Sequence, residues 1–520
     1  MDEIKAHLDG LKTEPYSHQR DAFLKAGLGR AFANFSDQGT GKTWSSIAEL
    51  FALYRLGKID RCLILAPKGV DSNWIVRELP KHAPDDVPFL ACLWRPTTTK
   101  TKQKELADFL KHPGLKVLAA NWETLNHKRG LSYLEKFIEG GPTMAIADES
   151  QRIKTPTSQR TKRALELRHT FAYRRILSGT PAPNGPFDLW SQLQFLDPKI
   201  LACDSFRAFC TKHAVMEDDS DHVYAAIKRQ MKAKIIRQNP TATSEWVEKL
   251  LSYRMPKLIR KDHEGRPMYR KLDELKARVQ EFSFRVLKED CLDLPPKVYT
   301  QMFFDISPEQ RRVYKELETK NRLLFEDDTI QPVTKLTAMQ KMSQVCSGYF
   351  LTPEGTNRIN GDNPKLEMLT EFLEDLGDKK LIVWAYGKQE IRDIEGACHR
   401  AEVKSVSYHG SISDKDRDAN IDSFQESDAQ VFIGHPQSGG VGLTLTAAST
   451  VVYYSNSFNL EHRLQSEDRA HRIGQVSKVS YIDFVASGTI EVEVIQALQD
   501  KADLAAFVMG DKPLKTLGYF

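Results

Sequence analysis

The sequence predicts an α/β fold in which helices pack on sheets of parallel strands. Short apolar runs, typical of strands buried on both faces, alternate with segments of helical periodicity. This alternation indicates doubly wound parallel sheets. The strand pattern stops in the helical, basic stretch 201–284 and restarts around Leu294-Pro295-Pro296-Lys297. We therefore expect one α/β domain over 1–200, a helical basic insertion over 201–284 and a second α/β domain over 285–520.

Composition and charge exclude several classes of protein. The 520 residues are 41% hydrophobic and 28% charged, as in globular proteins. The net charge of +4 is too small to indicate nucleic-acid binding by itself. No apolar run reaches the ~20 residues of a membrane helix, and the first residues do not resemble a signal peptide. With 7 scattered cysteines and no Cys-x-x-Cys pair, we expect a cytoplasmic protein (host cytoplasm if phage-encoded) without a membrane partner.

The clearest motif is the glycine loop at residues 36–43, which follows a predicted strand and precedes a predicted helix. Glycines let backbone N–H groups turn towards an anion, and the helix N-terminus adds its positive dipole. In this context Lys42 would contact the β- and γ-phosphates of a nucleotide, and the Thr43 hydroxyl would bind Mg²⁺. Ser36 stands where the strict pattern has glycine, so a simple glycine turn is the alternative. The candidate phosphate-binding residues are Gly39, Thr40, Gly41, Lys42 and Thr43.

A glutamine lies shortly before this loop, at the start of an amphipathic helix. The amide of Gln19 could pair with the N6 donor and N7 acceptor of adenine. We therefore expect it to select adenine, although an isolated glutamine is usually a surface residue.

Polar residues follow several predicted strands, and ligands of such sheets bind beyond the carboxyl ends of the strands. The strand at 143–148 ends in Asp148 and Glu149. Asp148 would hold Mg²⁺, and Glu149 would orient or activate the attacking water of a nucleotide hydrolase. Two adjacent acids also occur simply because they stabilise a helix N-terminus.

The second half of the chain has no phosphate loop, but it contains two arginines at helical spacing. Arg469 and Arg472 are expected one helical turn apart on one face, where their like charges require a nearby anion. Arginines of this kind can accelerate phosphoryl transfer by about 10³- to 10⁵-fold. Full activity should then require the two halves to close on ATP.

A basic segment falls within the predicted insertion. Residues 224–237 form a basic amphipathic pattern, which indicates either a nucleic-acid or partner contact or a solvated helix face.

Together these motifs resemble those of the SNF2 family, the double-stranded-DNA translocases of helicase superfamily 2. The resemblance extends over nearly the whole chain, and the segment 469–475 is close to diagnostic by itself. The matching segments are 18–19, 37–43, 65–67 with Trp74, 148–154, 177–181, 439–445 and 465–475.

The resemblance implies two RecA-like lobes with ATP and Mg²⁺ bound between them and a helical protrusion near 308–350. It implies that Gln465 contacts the nucleotide and that Lys42, Asp148, Glu149, Arg469 and Arg472 are catalytic. The DNA, double-stranded, forked or branched, would be held through its phosphates without sequence preference. The protein would act as a monomer, and any recruiting protein is not identified. The implied DNA contacts are Pro67, Lys68, Thr124, Ser178, Gly179, Thr180, His409, Gly410, Ser411, Gln437, Ser438 and Gly439.

Three positions depart from the family pattern. Gln151 replaces the usual histidine, Thr444 the usual asparagine, and Gln437 a residue that is commonly basic. These three departures concern DNA contact and the coupling of ATP hydrolysis to movement on DNA more than they concern hydrolysis itself. A strand-separating or branch-migrating helicase of the same superfamily is the first alternative function. A DNA-binding scaffold with a vestigial ATPase is the second, and the intact set of candidate catalytic residues argues against it.

Overall fold

The computed structural model describes most of the chain, in two compact units. The first comprises Met1–Leu292 and Leu504–Lys512, and the second Asp293–Asp503 and Pro513–Phe520. Of the predicted basic segment 224–237, residues 224–228, 230 and 234 lie outside the described residues, as do residues 440–442 of the second-half glycine motif. The described residues are 10–96, 99–216, 229, 231–233, 235–237, 239, 243–244, 246–247, 259–260, 262, 266–326, 332–352, 355–439 and 443–511.

A sheet of seven parallel strands forms the centre of the first unit, in the order β3-β4-β2-β5-β6-β1-β7. Its strands are β1 (Ala31–Asn34), β2 (Arg61–Ala66), β3 (Phe89–Leu93), β4 (Leu115–Asn121), β5 (Thr143–Asp148), β6 (Tyr173–Leu177) and β7 (Ser283–Phe284).

Helices connect these strands. They are α1 (Ser17–Ala26), α2 (Lys42–Arg55), α3 (Val70–Asn73), α4 (Leu79–His82), α5 (Lys100–Lys111), α6 (Lys128–Glu139), α7 (Gln159–Leu167), α8 (Asp188–Leu196), α9 (Phe206–His213), α10 (Leu272–Glu281) and α11 (Lys288–Cys291). A π-helical turn, Trp74–Glu78, joins α3 to α4, and 3₁₀ turns occur at Trp122–Asn126, Ser150–Ile153 and Arg168–Thr170.

The register of the strands sets the level at which their loops begin. Asn34 at the end of β1 pairs with Leu177 at the end of β6, and Leu177 pairs with Asp148 at the end of β5. Alternate side chains of the strands pack on opposite faces. In β2, for example, Leu63 belongs to one buried cluster and Ile64 to another. The loops after β1, β5 and β6 therefore start side by side at one edge of the sheet.

The second unit contains a sheet of six parallel strands, in the order β12-β13-β11-β14-β15-β8, and a separate antiparallel pair, β9 and β10. Its strands are β8 (Lys297–Phe304), β9 (Tyr349–Thr352), β10 (Gly355–Arg358), β11 (Leu381–Trp384), β12 (Ser405–Tyr408), β13 (Val431–Gly434), β14 (Thr450–Tyr453) and β15 (Val479–Ala486). Its helices are α12 (Pro308–Glu326), α13 (Pro332–Cys346), α14 (Pro364–Glu374), α15 (Lys388–Arg400), α16 (Asp414–Glu426), α17 (Pro436–Gly439), α18 (Leu460–Ala470) and α19 (Ile490–Met509), whose residues from Leu504 belong to the first unit.

The predicted α/β fold with two sheets of parallel strands is confirmed. The units differ from the predicted domain boundaries at two places, because the first unit extends to Leu292 and includes Leu504–Lys512. The strand β7 explains part of this difference, since it pairs with β1 although the sequence indicated no strand there. Among the described residues, no helix is long and apolar enough to span a membrane.

Candidate active site

The predicted phosphate loop connects β1 to α2 in the first unit. Gly39 and Gly41 have φ values of +80° and +82°, in the left-handed region that glycine adopts readily. Lys42 is the first residue of α2, and its ammonium donates to the carbonyls of Ser36 and Asp37 at 2.9 Å each. The loop thus has the conformation and the positive charge expected of a phosphate site.

Two side chains of α1 support this loop. Gln19 Nε2 donates to the Thr40 and Gly41 carbonyls at 3.4 and 3.3 Å, and its Oε1 accepts from the Tyr16 N–H at 2.9 Å. His18 Nε2 is 2.7 Å from the Thr40 carbonyl, so this nitrogen carries the proton. A side chain at Gly41 would place its Cβ 2.0 Å from Gln19 Nε2. Gln19 therefore holds the loop, and its contact with adenine stays a prediction.

Two tryptophans fix Asp148 at the end of β5. The Trp74 indole N–H donates to Asp148 Oδ2 at 2.8 Å, and the Trp122 indole N–H donates to the Asp148 carbonyl at 2.9 Å. The Glu149 N–H donates to Asp148 Oδ1 at 2.9 Å. Burial raises the pKa of Asp148, whereas the Trp74 hydrogen bond and the charge of Lys42 act to lower it. The carboxylate is thus oriented from both sides before any ligand binds.

Glu149 lies at the start of a chain of hydrogen bonds to the loop after β6. Gln151 Nε2 donates to Glu149 Oε2 at 2.7 Å, and Ser178 Oγ donates to Gln151 Oε1 at 2.7 Å. The Thr180 N–H then donates to Ser178 Oγ at 3.0 Å. Because an amide both donates and accepts, Gln151 can connect the loop after β5 to the loop after β6.

The loop after β6 also packs directly against the phosphate loop. A Cβ at Gly179 would lie 2.6 Å from Gln38 Cγ and 2.9 Å from its backbone nitrogen, so only glycine fits between the two loops. This contact and the hydrogen bonds of Gln151 bring three sequence motifs together at one edge of the sheet.

The predicted DNA-contact residues of the first unit differ in accessibility. Lys68 is exposed in the loop after β2, where buried Asp71 accepts from the Gly69 N–H at 2.9 Å and pairs with Arg95 at 2.5 Å. Thr124, in contrast, is buried, and its N–H and hydroxyl both donate to Asn121 Oδ1 at 3.1 Å. The hydroxyls of Thr124 and Ser178 are therefore engaged within the unit.

In the second unit, the arginine pair converges on one backbone oxygen. The helix α18 ends at Ala470, so the expectation that Arg469 and Arg472 share one helix face is wrong for Arg472. Their Nη1 atoms nevertheless donate to the same Leu443 carbonyl, at 3.2 and 2.8 Å. Arg469 Nε also donates to the Gln465 carbonyl at 2.9 Å. The pair is thus held close together on a single partly negative oxygen.

A buried charged cluster holds α18 in place. Arg463 forks onto Asp483 with distances of 2.5 and 3.0 Å and donates to Glu467 Oε1 at 2.8 Å. Glu467 Oε2 accepts from Lys297 at 3.1 Å and from the Tyr299 hydroxyl at 2.8 Å. These residues come from α18, β8 and β15. Spacing in the sequence does not reveal the cluster, because its members are far apart along the chain.

The remaining candidates of the second unit lie in loops after strands. His409 Nδ1 accepts from the Ser411 N–H at 3.3 Å, and a Cβ at Gly410 would meet open space. The Gln437 N–H donates to His435 Nδ1 at 3.1 Å at the start of α17, which also contains Ser438 and Gly439. Gly410 and Gln437 are exposed and His409 is half-buried, so these residues are accessible to a large ligand.

Replacing Trp74 with phenylalanine tests the orientation of Asp148. The variant keeps a buried ring but loses the N–H that donates to Oδ2. If Asp148 binds Mg²⁺, the Mg²⁺ concentration for half-maximal ATPase should rise about tenfold, as is typical when a hydrogen-bond partner of a metal ligand is removed. Trp190→Phe is the matched control, because its buried indole N–H has no hydrogen-bond partner among the described residues. Equal Mg²⁺ dependence in the two variants would contradict the assignment of Asp148 as a Mg²⁺ ligand oriented by Trp74.

Comparison with known proteins gives the family. Residues 35–349 match the SNF2-related domain, and residues 364–474 match the helicase conserved C-terminal domain. The chain is 28% identical over 494 residues to the Schizosaccharomyces pombe SWI/SNF chromatin-remodeling complex subunit snf22, covering 90% of this chain and 26% of that protein. It is 26% identical over 507 residues to the Bacillus subtilis putative ATP-dependent helicase/translocase YwqA, covering 93% of this chain and 47% of that protein.

The chain thus spans about a quarter to a half of the length of these curated relatives. Among solved structures, the Sulfolobus solfataricus SWI2/SNF2 ATPase core in complex with dsDNA is similar at 23% identity and a TM-score of 0.39, covering 96% of this chain and 94% of that one. Because the SNF2-related domain covers more than half of the chain, the protein belongs to the SNF2 family.

Proposed function

We propose that this protein is a DNA-dependent ATPase that couples ATP hydrolysis to translocation along double-stranded DNA. The observation that carries the proposal is that Lys42, at the start of α2 after the loop that follows β1, and Asp148 and Glu149, at the end of β5, lie at the same edge of one sheet. Membership of the SNF2 family and the name of the B. subtilis relative, a putative ATP-dependent helicase/translocase, support the same activity.

The phosphate loop would bind the nucleotide. Its backbone N–H groups and the Lys42 ammonium would contact the β- and γ-phosphates. The residues fit Mg²⁺, because the Thr43 hydroxyl and the Asp148 carboxylate supply the oxygen atoms that this ion prefers. Each carboxylate oxygen of Asp148 accepts one of the hydrogen bonds described above, which leaves it a second lone pair. When bound, Mg²⁺ neutralises charge on the phosphates.

Glu149 would orient the water that attacks the γ-phosphate and accept its proton. The bond from Gln151 to Glu149 Oε2 fixes the carboxylate, which reduces the motion that must be lost in the transition state. Since Gln151 also accepts from Ser178, a displacement of the loop after β6 would reposition Glu149. The chain of hydrogen bonds offers a path by which DNA contacts near that loop could control hydrolysis.

The arginine pair would stabilise negative charge on the phosphate being transferred. Phosphate oxygens carry full charge and bind guanidinium groups more strongly than a backbone carbonyl does. Arg469 and Arg472 would therefore leave the Leu443 carbonyl for the phosphate. We propose that Gln465, which is buried one helical turn before Arg469, contributes to the same nucleotide site.

The DNA would be held mainly through its phosphates, so binding should be independent of base sequence. Exposed Lys68, Gly410 and Gln437 are the best placed of the candidate contacts, whereas buried Thr124 and Ser178 would position their loops. We further propose that the protein acts as a monomer in the cytoplasm, on duplex DNA with or without forks or branches.

ATPase rates measured with single-stranded, duplex, forked and four-way-junction DNA test this proposal. The rate should rise with any DNA that contains a duplex and rise little with single strands. An ATPase that ignores DNA would contradict the proposal, and preferential activation by single strands would favour a strand-separating helicase.

Substitutions at Lys42 and Glu149, two of the three candidate catalytic residues of the first unit, should have different effects. Lys42→Ala should abolish hydrolysis and weaken nucleotide binding, because the phosphates lose their point charge. Glu149→Gln should bind Mg-ATP normally but hydrolyse it at least about 10²-fold more slowly, because the general base is lost. Nucleotide binding by fluorescence and steady-state ATPase assays separate the two effects. Near wild-type turnover in either variant would remove that residue from the mechanism.

Arg472→Ala should lower the maximal ATPase rate about 10³-fold while leaving nucleotide affinity almost unchanged. A group that binds the transition state more tightly than the substrate affects turnover and not ground-state binding. Arg358→Ala, which removes an exposed arginine that pairs with Asp393, is the control and should retain wild-type turnover. A change in affinity without a change in turnover would argue against the assigned role of Arg472.

The basic segment should contribute to DNA binding if its side chains bind phosphates. The variant in which Lys228, Arg229, Lys232 and Lys234 are all neutralised should show a weaker dependence of DNA affinity on salt. The slope of log affinity against log salt concentration should become shallower by up to about 0.9 for each phosphate that the variant no longer neutralises. More DNA should be needed for half-maximal ATPase, with an unchanged maximal rate. The control neutralises four exposed lysines of α5, namely Lys100, Lys102, Lys104 and Lys111. Equal slopes in both variants and the wild type would show a solvated helix face.

A further inference from the structure

The phosphate loop is supported on one side by a segment that the nucleotide motifs do not include. This segment runs from β7 into α11. The Asp37 N–H donates to the Val286 carbonyl at 3.0 Å, and the Lys288 N–H donates to Asp37 Oδ2 at 3.2 Å. Between these bonds, Arg285 Nη1 donates to the Phe35 carbonyl at 2.5 Å, and its Nη2 lies 3.5 Å from Asp37 Oδ1. The start of the phosphate loop is thus attached to Arg285 at two points.

The charge of Arg285 is neutralised by Asp511, which is 226 residues away in the sequence. Arg285 Nε donates to Asp511 Oδ1 at 2.6 Å, and Nη2 donates to Oδ2 at 2.5 Å. The side chains of Arg285 and Asp511 are 16% and 6% exposed. A guanidinium that forks onto a carboxylate in this way is held in one orientation. Asp511 therefore determines where Arg285 presents its remaining N–H groups to the loop.

Packing holds Asp511 in place independently of this ion pair. Val508 and Met509, at the end of α19, are buried in the core of the first unit. Gly510, with φ +85°, reverses the chain, and a Cβ there would lie 2.3 Å from Gln280 Nε2 of α10. The Asp511 N–H then donates to the Ala506 carbonyl at 2.9 Å. The carboxylate is thus presented by a backbone that is already fixed.

We propose that Asp511 and Arg285 are positioning residues for the nucleotide phosphates, so that the C-terminal segment 504–511 completes the phosphate site of the first unit. This inference rests on the proposed nucleotide-binding function. Without the Asp511 charge, Asp37 would be the one carboxylate among the described residues that pairs with the largely buried Arg285, and removing one partner of such an ion pair is costly. Arg285 would then draw Asp37 towards it. Because the Asp37 carbonyl also accepts from Lys42, this shift would move the ammonium that contacts the phosphates.

Asp511→Asn tests the inference in the full-length protein. The amide has the shape of the carboxylate but lacks its charge. The dissociation constant of the variant for a fluorescent, non-hydrolysable ATP analogue should rise about tenfold relative to wild type. It is measured well below the unfolding temperature. Amide hydrogen exchange should accelerate in a peptide that covers residues 35–43 and stay unchanged in β5. Asp511→Glu, which keeps the charge, should recover part of the affinity.

The matched control is Asp503→Asn, the same change eight residues earlier in α19, which should leave affinity and exchange at wild-type values. Arg285→Lys keeps the positive charge without the fork and should weaken binding as Asp511→Asn does, which provides a second test if Asp511→Asn does not fold. Unchanged affinity and loop exchange in a folded Asp511→Asn or Arg285→Lys variant would overturn the inference. Failure of the wild-type protein to bind the analogue would instead overturn the proposed function.

Discussion

The candidate active site depends on the register of three neighbouring parallel strands. Asn34, Leu177 and Asp148 lie side by side at the ends of β1, β6 and β5, so the loops that follow them start at one level. Parallel strands direct all their carboxyl ends to the same edge of a sheet, and a one-residue slip would turn each side chain to the opposite face. Such a slip would separate the phosphate loop from Asp148. The buried apolar faces of these strands oppose it.

Short-range contacts between these loops then fix their positions relative to one another. Gly179 allows the loop after β6 to approach Gln38, and Gln151 joins Glu149 to Ser178. Trp74 orients the Asp148 carboxylate. The same principle applies in the second unit, where a buried charged cluster holds the helix that carries Arg469. In both units, groups that would act on the nucleotide are positioned by residues that would not touch it.

Much of this arrangement could be predicted from the sequence, because its signals are local. Each of these signals occupies a few consecutive residues: the apolar runs, the glycine loop and the acids after a strand. They predicted the fold class, and they predicted that Lys42 and Asp148 lie at the same edge of the sheet. Contacts between distant segments could not be predicted. No spacing links Trp122 to Asp148, or Asp511 to Arg285, and the two-residue strand β7 is too short to show a periodic pattern. The end of α18 before Arg472 could not be predicted either, because the first glycine that would signal a helix end, Gly474, lies beyond Arg472.

We propose that ATP hydrolysis moves the protein along intact duplex DNA, and displacement of a third strand would report this movement. A short strand bound in the major groove of a long duplex is removed by any motor that passes it. We predict that ATP, but not a non-hydrolysable analogue, will release the third strand while the two duplex strands stay paired. Hydrolysis of ATP without release of the third strand, or with separation of the duplex strands, would show that the protein does not translocate along intact duplex DNA.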